Sequence, residues 1–208
     1  MAAGPNLLPR DGEAVLHETW VPPSEADDLM KALIGAVDWQ QEHARFGAKT
    51  VPLPRLTAWY GDVGYRYSGV VHPPRPWLDL LADLRGRLPP PGGVSASSPG
   101  WRPNSVLVNF YRDGRDSMGW HSDDEAVLGS LPTIWSISLG ATRLFLFRHR
   151  QTAERVGVDL GHGSLLVMAG DCQRCWQHAL PKTSQPVGPR LNLTFRLTGA
   201  ARADAGVR

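Results

Sequence analysis

A disulfide framework and a membrane anchor are excluded first, because the sequence has few cysteines and no long apolar run. The two cysteines, Cys172 and Cys175, are too few to staple a secreted domain. No stretch approaches the roughly 18 apolar residues of a membrane-spanning helix, and the amino terminus lacks the apolar segment of a secretory signal. We therefore expect a cytoplasmic protein that has no membrane partner.

A strong excess of positive charge is also missing. The 22 basic and 20 acidic residues leave a formal net charge of +2, which does not by itself indicate a nucleic-acid partner. The 208 residues, of which 42% are hydrophobic and 20% charged, suit a single globular domain over 1–208. We expect its ends, about 1–11 and 199–208, to be flexible, and we expect a monomer.

Two helices are predicted in the first half of the chain. The first begins near Ser24 and Asp27, which match a capping box and precede an apolar stripe. The second begins at Pro76, a favoured residue in a first helical turn, and ends before the prolines at 89–91. We expect both helices to lie against a sheet.

Short strands are predicted from Ser105 onward, where apolar and polar residues alternate with a period of two. The predicted strands are 106–111, 133–139, 143–147, 155–160, 164–168 and 190–197. Many short strands after two helices favour an α+β, mainly β fold: a β-sandwich or jelly roll with helices on one face. An earlier hairpin is predicted from 57–59 and 64–67, around a turn at Gly61 and Asp62.

A metal site is suggested by His121, Asp123 and His178. The first two are two residues apart, so on an extended backbone their side chains project to the same side. Two imidazoles and one carboxylate on one face of a metal leave positions open for a ligand and O₂, which suits non-haem Fe(II). A His-x-acid pair alone is a weak signal, and a polar turn with solvated charges is the alternative.

Cys172, Cys175 and His178 allow a competing interpretation. A Cys-x-x-Cys pair followed by a histidine can begin a structural zinc site, but such a site needs four ligands. The chain has no second paired cluster in an obvious position. Two inert, reduced thiols are the alternative.

The segment 190–196 predicts a strand with one polar and one apolar face. Its polar face carries Arg190, Asn192, Thr194 and Arg196. The two guanidinium groups lie roughly 20 Å apart along a straight strand, and less after twist and side-chain reach, so they can bind opposite ends of a short dicarboxylate. The alternative is a half-exposed strand whose arginines face water. Asn109 and Tyr111 share a face of another strand and add an amide and a phenol suited to carboxylate binding.

Together these motifs resemble the AlkB family of nucleic-acid dioxygenases, and its DNA-repair members in particular. The similarity extends from about residue 60 to residue 196, with six motifs in the family's order. These are Asn109-Phe110-Tyr111-Arg112-Asp113-Gly114, His121-Ser122-Asp123-Asp124-Glu125, Ser138-Leu139-Gly140, His162-Gly163-Ser164, His178 and Arg190-Leu191-Asn192-Leu193-Thr194-Phe195-Arg196. The resemblance implies a double-stranded β-helix core over about 105–197, buttressed by the amino-terminal helices.

The resemblance also implies the site residues. Fe(II) would be bound by His121, Asp123 and His178, with 2-oxoglutarate and O₂ as cosubstrates. The residues implied for 2-oxoglutarate are Asn109, Tyr111, Ser138, Arg190, Asn192 and Arg196. Arg190 would pair with the distal carboxylate, aided by Tyr111 and Asn192. Asn109 and Arg196 would serve the end that chelates iron, and Ser138 would line the same pocket.

Contacts to the nucleic acid are implied less directly. The segment 57–69 resembles the family's nucleotide-recognition hairpin, in which Tyr65 and Tyr67 would stack on an extruded base; the alternative is that both tyrosines pack the hairpin. The remaining candidates are acidic residues expected near the base and basic residues expected near the phosphates, which position the nucleic acid without specifying its sequence. They are Asp124, Glu125, Arg148 and Arg150.

The function predicted in this way is oxidative demethylation of N-alkylated bases, such as 1-methyladenine and 3-methylcytosine, in DNA and secondarily RNA. The reaction would couple O₂ and 2-oxoglutarate to formaldehyde, succinate and CO₂. Two alternatives stay open. One is the same chemistry on protein or lipid, and the other is a non-catalytic, metal-binding β-barrel module.

Overall fold

A computed structural model of the chain describes residues 4–47, 49–67 and 70–199. Its α-helices are α1 (Pro23–Ala36), α2 (Asp79–Arg87) and α3 (Cys172–Cys175). The strands of the first half are β1 (Glu13–His17), β2 (His43–Phe46), β3 (Lys49–Pro52), β4 (Leu56–Gly61), β5 (Tyr65–Tyr67), β6 (Val70–His72) and β7 (Ser105–Tyr111). The later strands are β8 (Met118–His121), β9 (Ile134–Gly140), β10 (Arg143–His149), β11 (Arg155–Leu160), β12 (Ser164–Ala169), β13 (Trp176–Leu180) and β14 (Arg190–Arg196).

Two antiparallel sheets form a jelly roll, which confirms the predicted fold. The six-stranded sheet has the order β1-β12-β9-β14-β7-β4, and the four-stranded sheet has the order β11-β10-β13-β8. Strand β14 lies between β7 and β9, so Arg190 is opposite both Tyr111 and Gly140. The six strands predicted after residue 105 begin and end within two residues of their observed bounds.

Both predicted helices are present, but each begins differently from the prediction. Helix α1 lacks the predicted capping box, because Pro22 occupies the N-cap position and offers no side-chain acceptor. Helix α2 begins at Asp79 rather than Pro76, since the chain is still extended at Leu78. In the described part of the chain, no helix is both long and apolar enough to cross a membrane.

The hairpin predicted from 57–59 and 64–67 is wrong. Strand β4 pairs with β7 instead, and β5 pairs with β6 in a separate two-stranded ribbon. The chain leaves β4 at Gly61, which has a φ of 153° and packs so closely that a Cβ would lie 2.5 Å from the carbonyl oxygen of Asn104. That close approach suits glycine, so Gly61 ends a sheet strand rather than opening a hairpin turn.

The amino-terminal arm that the structure describes is packed onto the protein. The side-chain oxygen of Asn6 accepts hydrogen bonds from the backbone N–H groups of Leu8 and Ala14, at 3.1 and 2.8 Å. Leu8 is buried, and the unpredicted strand β1 pairs with β12 at the edge of the larger sheet. Residues 4–11 therefore fold back along β1, in contrast to the loose arm that their composition indicates.

Apolar side chains fill two layers, one on each side of the six-stranded sheet. The layer under the helices includes Leu33, Leu81, Leu84, Ile137 and Leu193, all fully buried. The layer between the two sheets includes Ile134, Phe147, Leu166 and Trp176. Because successive side chains of a strand point to opposite faces, the apolar residues of β14 face the helices and its polar residues face the four-stranded sheet.

Candidate active site

A pocket lies between the two sheets, on the polar side of β14. Side chains from both sheets converge on it. They are Leu107, Asn109, Tyr111, Met118, His121, Asp123, Ser136, Phe145, Met168, His178, Leu180, Arg190, Asn192, Thr194 and Arg196. The lining includes all three predicted metal ligands and every predicted 2-oxoglutarate residue except Ser138, which is hydrogen-bonded to Arg190.

The metal-binding candidates are brought together by strand pairing. His121 ends β8 and lies opposite His178 of β13, with 4.2 Å between the ring centroids. Asp123 follows β8 in an irregular loop and places Oδ2 3.9 Å from Nε2 of His178. One potential ligand atom from each residue lies within 4.8 Å of the other two, and no other such group of His, Cys, Asp or Glu occurs among the described residues. The three donors therefore fit a single metal ion.

Backbone contact orients the first histidine. Nδ1 of His121 lies 2.8 Å from the carbonyl oxygen of Gly119. A carbonyl only accepts hydrogen bonds, so Nδ1 carries the proton and Nε2 retains a lone pair. This arrangement is typical of metal-binding histidines, whose second ring nitrogen donates to a carbonyl or carboxylate.

The protonation states of the three residues suit metal binding. Burial lowers the pKa of His121, and burial with the neighbouring His121 lowers the pKa of His178 to about 3. Burial raises the pKa of Asp123, but Arg196 and the two histidines outweigh burial and hold it below its ordinary value. Neutral imidazoles and an ionised carboxylate are the forms that bind a divalent cation, so little proton release is needed at neutral pH.

Arg196 contacts a metal-ligand candidate directly. Its Nη2 donates to Oδ1 of Asp123 at 2.5 Å, and both side chains are almost completely buried. A charge-assisted bond of this kind positions the carboxylate and keeps it ionised. Arg196 therefore lies at the metal end of the pocket, where the sequence resemblance places it.

Strand β14 has the predicted alternation, but both of its faces are buried. All seven of its residues are buried, so the alternative of a half-exposed strand is wrong. The sequence pattern identifies which residues share a face, whereas burial of the polar face follows from the second sheet that packs over it. Arginines on that face are held away from bulk water.

Arg190 occupies the other end of the polar face. Its Nη2 donates to Oγ of Ser138 at 2.8 Å, and its guanidinium lies 5.3 Å from the ring centroid of Tyr111. Burial lowers the pKa of Arg190 to about 10, which leaves it charged at neutral pH. No carboxylate among the described residues pairs with it, and its Nε is buried without a hydrogen-bond partner. A buried, unpaired cation of this kind is stabilised by an anionic ligand.

Amide and hydroxyl groups lie between the two arginines on β14 and are hydrogen-bonded to one another or to β9. Nδ2 of Asn192 donates to Oγ of Ser136 at 2.7 Å, and Oγ1 of Thr194 donates to Oδ1 of Asn192 at 2.9 Å. Ser136 was not a sequence candidate, although its position two residues before Ser138 on the same strand places it on the same face. The strand period alone was therefore sufficient to find it.

The sequence analysis did not identify Arg55 as a buried arginine beside the predicted cosubstrate residues. Arg55 is 3% exposed, and its Nε donates to Oδ1 of Asn109 at 2.9 Å. It precedes β4, which pairs with β7, and this pairing brings it next to a residue 54 positions later in the chain. Only the pairing of distant strands shows this contact, because nothing local to Arg55 distinguishes it from a surface arginine.

The cysteine pair forms part of a packed helix. Cys172 and Cys175 bound the single-turn helix α3, and neither joins the metal-ligand group found in the described residues. Burial raises the pKa of Cys172 to about 12, so this thiol is protonated and inert at neutral pH. The described structure thus favours inert thiols over a structural zinc site.

An ion pair lies beside the ligand loop. Nη2 of Arg150 is 2.6 Å from Oδ2 of Asp124 and donates to Oγ of Ser122 at 2.8 Å. Both charged side chains are substantially exposed, at 38% and 53%. Two predicted substrate contacts are therefore paired with each other, while Glu125 is half-buried next to them in sequence.

The other predicted basic contact is also partnered. The guanidinium of Arg148 lies 4.5 Å from the ring centroid of Trp120 and donates to Oε1 of Gln177 at 2.7 Å. His149, between the two arginines in sequence, is buried and lies 3.2 Å from a carboxylate oxygen of Asp11. Along β10, alternation turns His149 inward and Arg148 outward, and Arg150 lies exposed in the turn that follows the strand.

For the two tyrosines of the predicted recognition hairpin, only the strand to which they belong is described. Tyr65 and Tyr67 belong to strand β5, which pairs with β6. Their side chains lie outside the part of the chain that the structure describes. Stacking on a base stays a prediction.

Comparison with known proteins agrees with this geometry. Residues 13–196 match the model of the 2OG-Fe(II) oxygenase superfamily. The mouse protein "Alpha-ketoglutarate-dependent dioxygenase alkB homolog 3" is 42% identical over 191 residues, covering 87% of this chain and 64% of that protein. Human "DNA oxidative demethylase ALKBH2" is 37% identical over 186 residues, covering 83% of this chain and 69% of that protein. These relatives confirm the resemblance to the AlkB family.

A solved structure supports the fold independently. The structure titled "The structure of OsALKBH1" superposes with a TM-score of 0.62 at 20% sequence identity, covering 92% of this chain and 99% of that one. The present chain spans 64% of the length of the mouse relative. The family match, by contrast, includes every described strand that lines the pocket. The chain therefore belongs to the 2OG-Fe(II) oxygenase superfamily.

Proposed function

We propose that this protein is an Fe(II)- and 2-oxoglutarate-dependent dioxygenase that removes methyl groups from alkylated nucleic-acid bases. His121, Asp123 and His178 would bind Fe(II). Asn109, Tyr111, Ser138, Arg190, Asn192 and Arg196 would bind 2-oxoglutarate. Bound Fe(II) would supply the redox chemistry by which O₂ and 2-oxoglutarate are converted to an oxidant, CO₂ and succinate.

The observation that carries this proposal is the charge arrangement within one pocket. A buried cation without a carboxylate partner in the described residues, Arg190, shares the pocket with a set of metal ligands. A dicarboxylate that reaches from the metal to Arg190 would neutralise that guanidinium and add charge-assisted hydrogen bonds. A site for metal alone would not require the second cation.

The protein's own groups would bind and position the cosubstrate. Arg190 and the hydroxyl of Ser138 would bind the distal carboxylate, and the ring of Tyr111 would cover the guanidinium. Arg196 would hold Asp123 in its ligating orientation. Apolar residues of the lining, including Leu107 and Phe145, would exclude water from the reacting centre.

The proposed substrate class rests on the relatives and on the residues beside the pocket. One relative carries the name "DNA oxidative demethylase ALKBH2", and this chain has the acidic residues Asp124 and Glu125 next to the predicted ligand Asp123. A negative charge near the base would favour a cationic lesion such as 1-methyladenine or 3-methylcytosine. Arg148 and Arg150 would contact phosphates, and the tyrosines of β5 would stack on the base. We extend the proposal to RNA as a second substrate.

A lesion panel tests the function. The full chain, supplied with Fe(II), 2-oxoglutarate and O₂, is incubated with oligonucleotides that carry 1-methyladenine, 3-methylcytosine or no lesion, in DNA and RNA. We expect formaldehyde and succinate in equal amounts from the methylated strands. Succinate release that ignores the lesion would instead support a protein or lipid substrate. Light scattering on the same preparation tests the predicted monomer.

Metal analysis distinguishes the proposed enzyme from a non-catalytic, metal-binding module. Metal analysis of the purified protein that finds tightly bound zinc at Cys172 and Cys175, together with no 2-oxoglutarate turnover, would support a binding module. We expect instead that the metal content is lost on substitution of His121 and retained on substitution of either cysteine. That pattern would place the ion in the pocket rather than at helix α3.

A further inference from the structure

Asp123 lies in a segment that has no regular secondary structure to position it. The strand β8 ends at His121, and residues 122–125 are neither helix nor strand. Asp123 as a whole residue, main chain included, is 1% exposed, so its main-chain N–H is surrounded by protein. A buried N–H that has no ladder partner requires another acceptor.

Gln173 supplies that acceptor. Its Oε1 accepts a hydrogen bond from the backbone N–H of Asp123 at 2.9 Å, across 50 residues of sequence. Its Nε2 lies 3.6 Å from Sδ of Met168, which lines the pocket. The amide is therefore oriented with its oxygen toward the ligand loop and its nitrogen toward the sulfur, and Gln173 as a residue is 1% exposed.

The amino-terminal arm contacts the helix that carries Gln173. Cys172 is fully buried, and Gly12 of the amino-terminal arm packs against it so closely that a Cβ on Gly12 would lie 2.6 Å from the Cys172 nitrogen. The indole Nε1 of Trp176, directly after the helix, donates to the carbonyl oxygen of Arg10 at 3.1 Å. The amino-terminal arm thus packs against the helix that presents Gln173.

A second contact holds the other side of the loop. Oγ of Ser122 donates to the carbonyl oxygen of Trp176 at 2.9 Å, two residues before the ligand His178. The loop that carries one ligand is therefore attached to the segment that leads into another. Gln173 is the member of this set that touches the backbone of Asp123 itself.

We propose that Gln173 is a positioning residue for the metal site: its amide oxygen sets the backbone of Asp123 so that the carboxylate faces His121 and His178. This inference rests on the proposed metal site and deepens it. It also gives the cysteine pair a structural meaning, since Cys172 and Cys175 bound the turn that presents Gln173. Hydrogen bonds to groups that hold metal ligands typically change metal affinity by about 10–100-fold when they are removed.

Mn(II) binding to the 208-residue chain, measured by the electron paramagnetic resonance of free Mn(II), tests the proposal without any turnover. Gln173→Met keeps the length of the side chain and removes the acceptor, so we expect affinity for Mn(II) to fall by about 10–100-fold. Gln173→Glu restores an acceptor oxygen and should recover most of that loss. Arg174→Leu, in the same helix but with a side chain that is 69% exposed, is the matched control and should bind Mn(II) as the parent does.

Hydrogen exchange at the Asp123 amide provides a readout that packing alone would not move. By NMR of the metal-free protein, we expect this amide to exchange faster in Gln173→Met and to regain protection in Gln173→Glu. Parental Mn(II) affinity in Gln173→Met, or unchanged protection of the Asp123 amide, would overturn the inference. Mn(II) binding that responds to Gln173 in a protein that demethylates nothing would instead refute only the proposed substrate.

Discussion

The inner wall of the pocket and the exposed rim beside it differ in secondary structure, in exposure to water and in how their side chains are held. Inner-wall residues such as Arg190 and His178 lie on sheet strands, are nearly inaccessible to water and are oriented by strand pairing. Rim residues such as Asp124 and Arg150 lie in loops, are substantially exposed and pair with each other. The difference indicates that the predicted metal and cosubstrate ligands are preorganised, whereas the predicted substrate contacts would form by exchange with existing partners.

The charged groups of the two regions also differ in how strongly burial affects them. On the inner wall, burial moves the pKa of His178 to about 3 and that of Arg190 to about 10. At the rim, water and salt screen the Arg150 and Asp124 charges, as is general for exposed ion pairs. A given substitution should therefore have a larger effect in the inner wall than at the rim.

The largest effect is expected from His121→Ala, which removes a metal ligand from the inner wall. Formaldehyde and succinate production should both fall below detection, because the remaining imidazole and carboxylate cannot hold the metal in its reactive geometry. The matched control is His43→Ala, since His43 is an exposed histidine of β2. Turnover retained by the His121 variant would refute the assignment of this residue as a ligand.

Arg190→Ala should have the next largest effect, and it should act on cosubstrate binding rather than on metal binding. Loss of a buried charge-assisted contact costs about 2 kcal/mol or more, so the dissociation constant for 2-oxoglutarate should rise roughly 30-fold. Calorimetry on the Mn(II)-loaded protein measures this change. Arg155→Ala, on the exposed side of β11, is the control. Equal 2-oxoglutarate affinity in the two variants would contradict the assigned role.

A pH dependence of stability should distinguish the buried histidine from exposed ones. The pKa of His178 is about 3 in the folded protein and close to 6.5 when unfolded, so the unfolded state binds the additional proton between these values. The stability that this group contributes is thus present above pH 6.5 and is lost as the pH falls toward 3. Its contribution is at most about 1.4 kcal/mol per pH unit, or tenfold in the unfolding equilibrium.

Urea unfolding of the metal-free protein at several pH values between 4 and 7 measures that slope. The variant His178→Gln should flatten the dependence. A slope that persists undiminished in the His178 variant would mean that other groups cause the acid sensitivity.

The smallest effect is expected at the rim, from Arg150→Ala. Because Arg150 is exposed and already paired, its loss should weaken oligonucleotide binding only about threefold at low salt. The slope of log affinity against log salt should decrease by about one unit, as for the loss of a single phosphate contact. Arg115→Ala, whose side chain is 89% exposed and pairs with Asp113, is the control. An unchanged salt slope would remove Arg150 from the phosphate contacts.

Local patterns were sufficient for six strands after residue 105 and for much of the pocket. The alternation at 190–196 correctly separated the residues that face the pocket from those that face the helices, because a strand has a strict period of two. The same rule failed near residue 61, where a glycine typical of a turn ends a sheet strand instead. Strand β13 and helix α3 were not predicted, since they are short and their apolar pattern is interrupted by polar residues.

The sequence by itself determined the jelly roll, the candidate ligands and the polar face of β14, because hydrophobic period and ordered motifs are local properties of the chain. Only the tertiary structure decided which groups meet. Arg196 contacts Asp123, Arg55 contacts Asn109, and Gln173 contacts the ligand loop. Each pair is separated by at least 50 residues, so its formation depends on strand pairing and on burial between two packed layers. No periodicity in the sequence encodes that proximity.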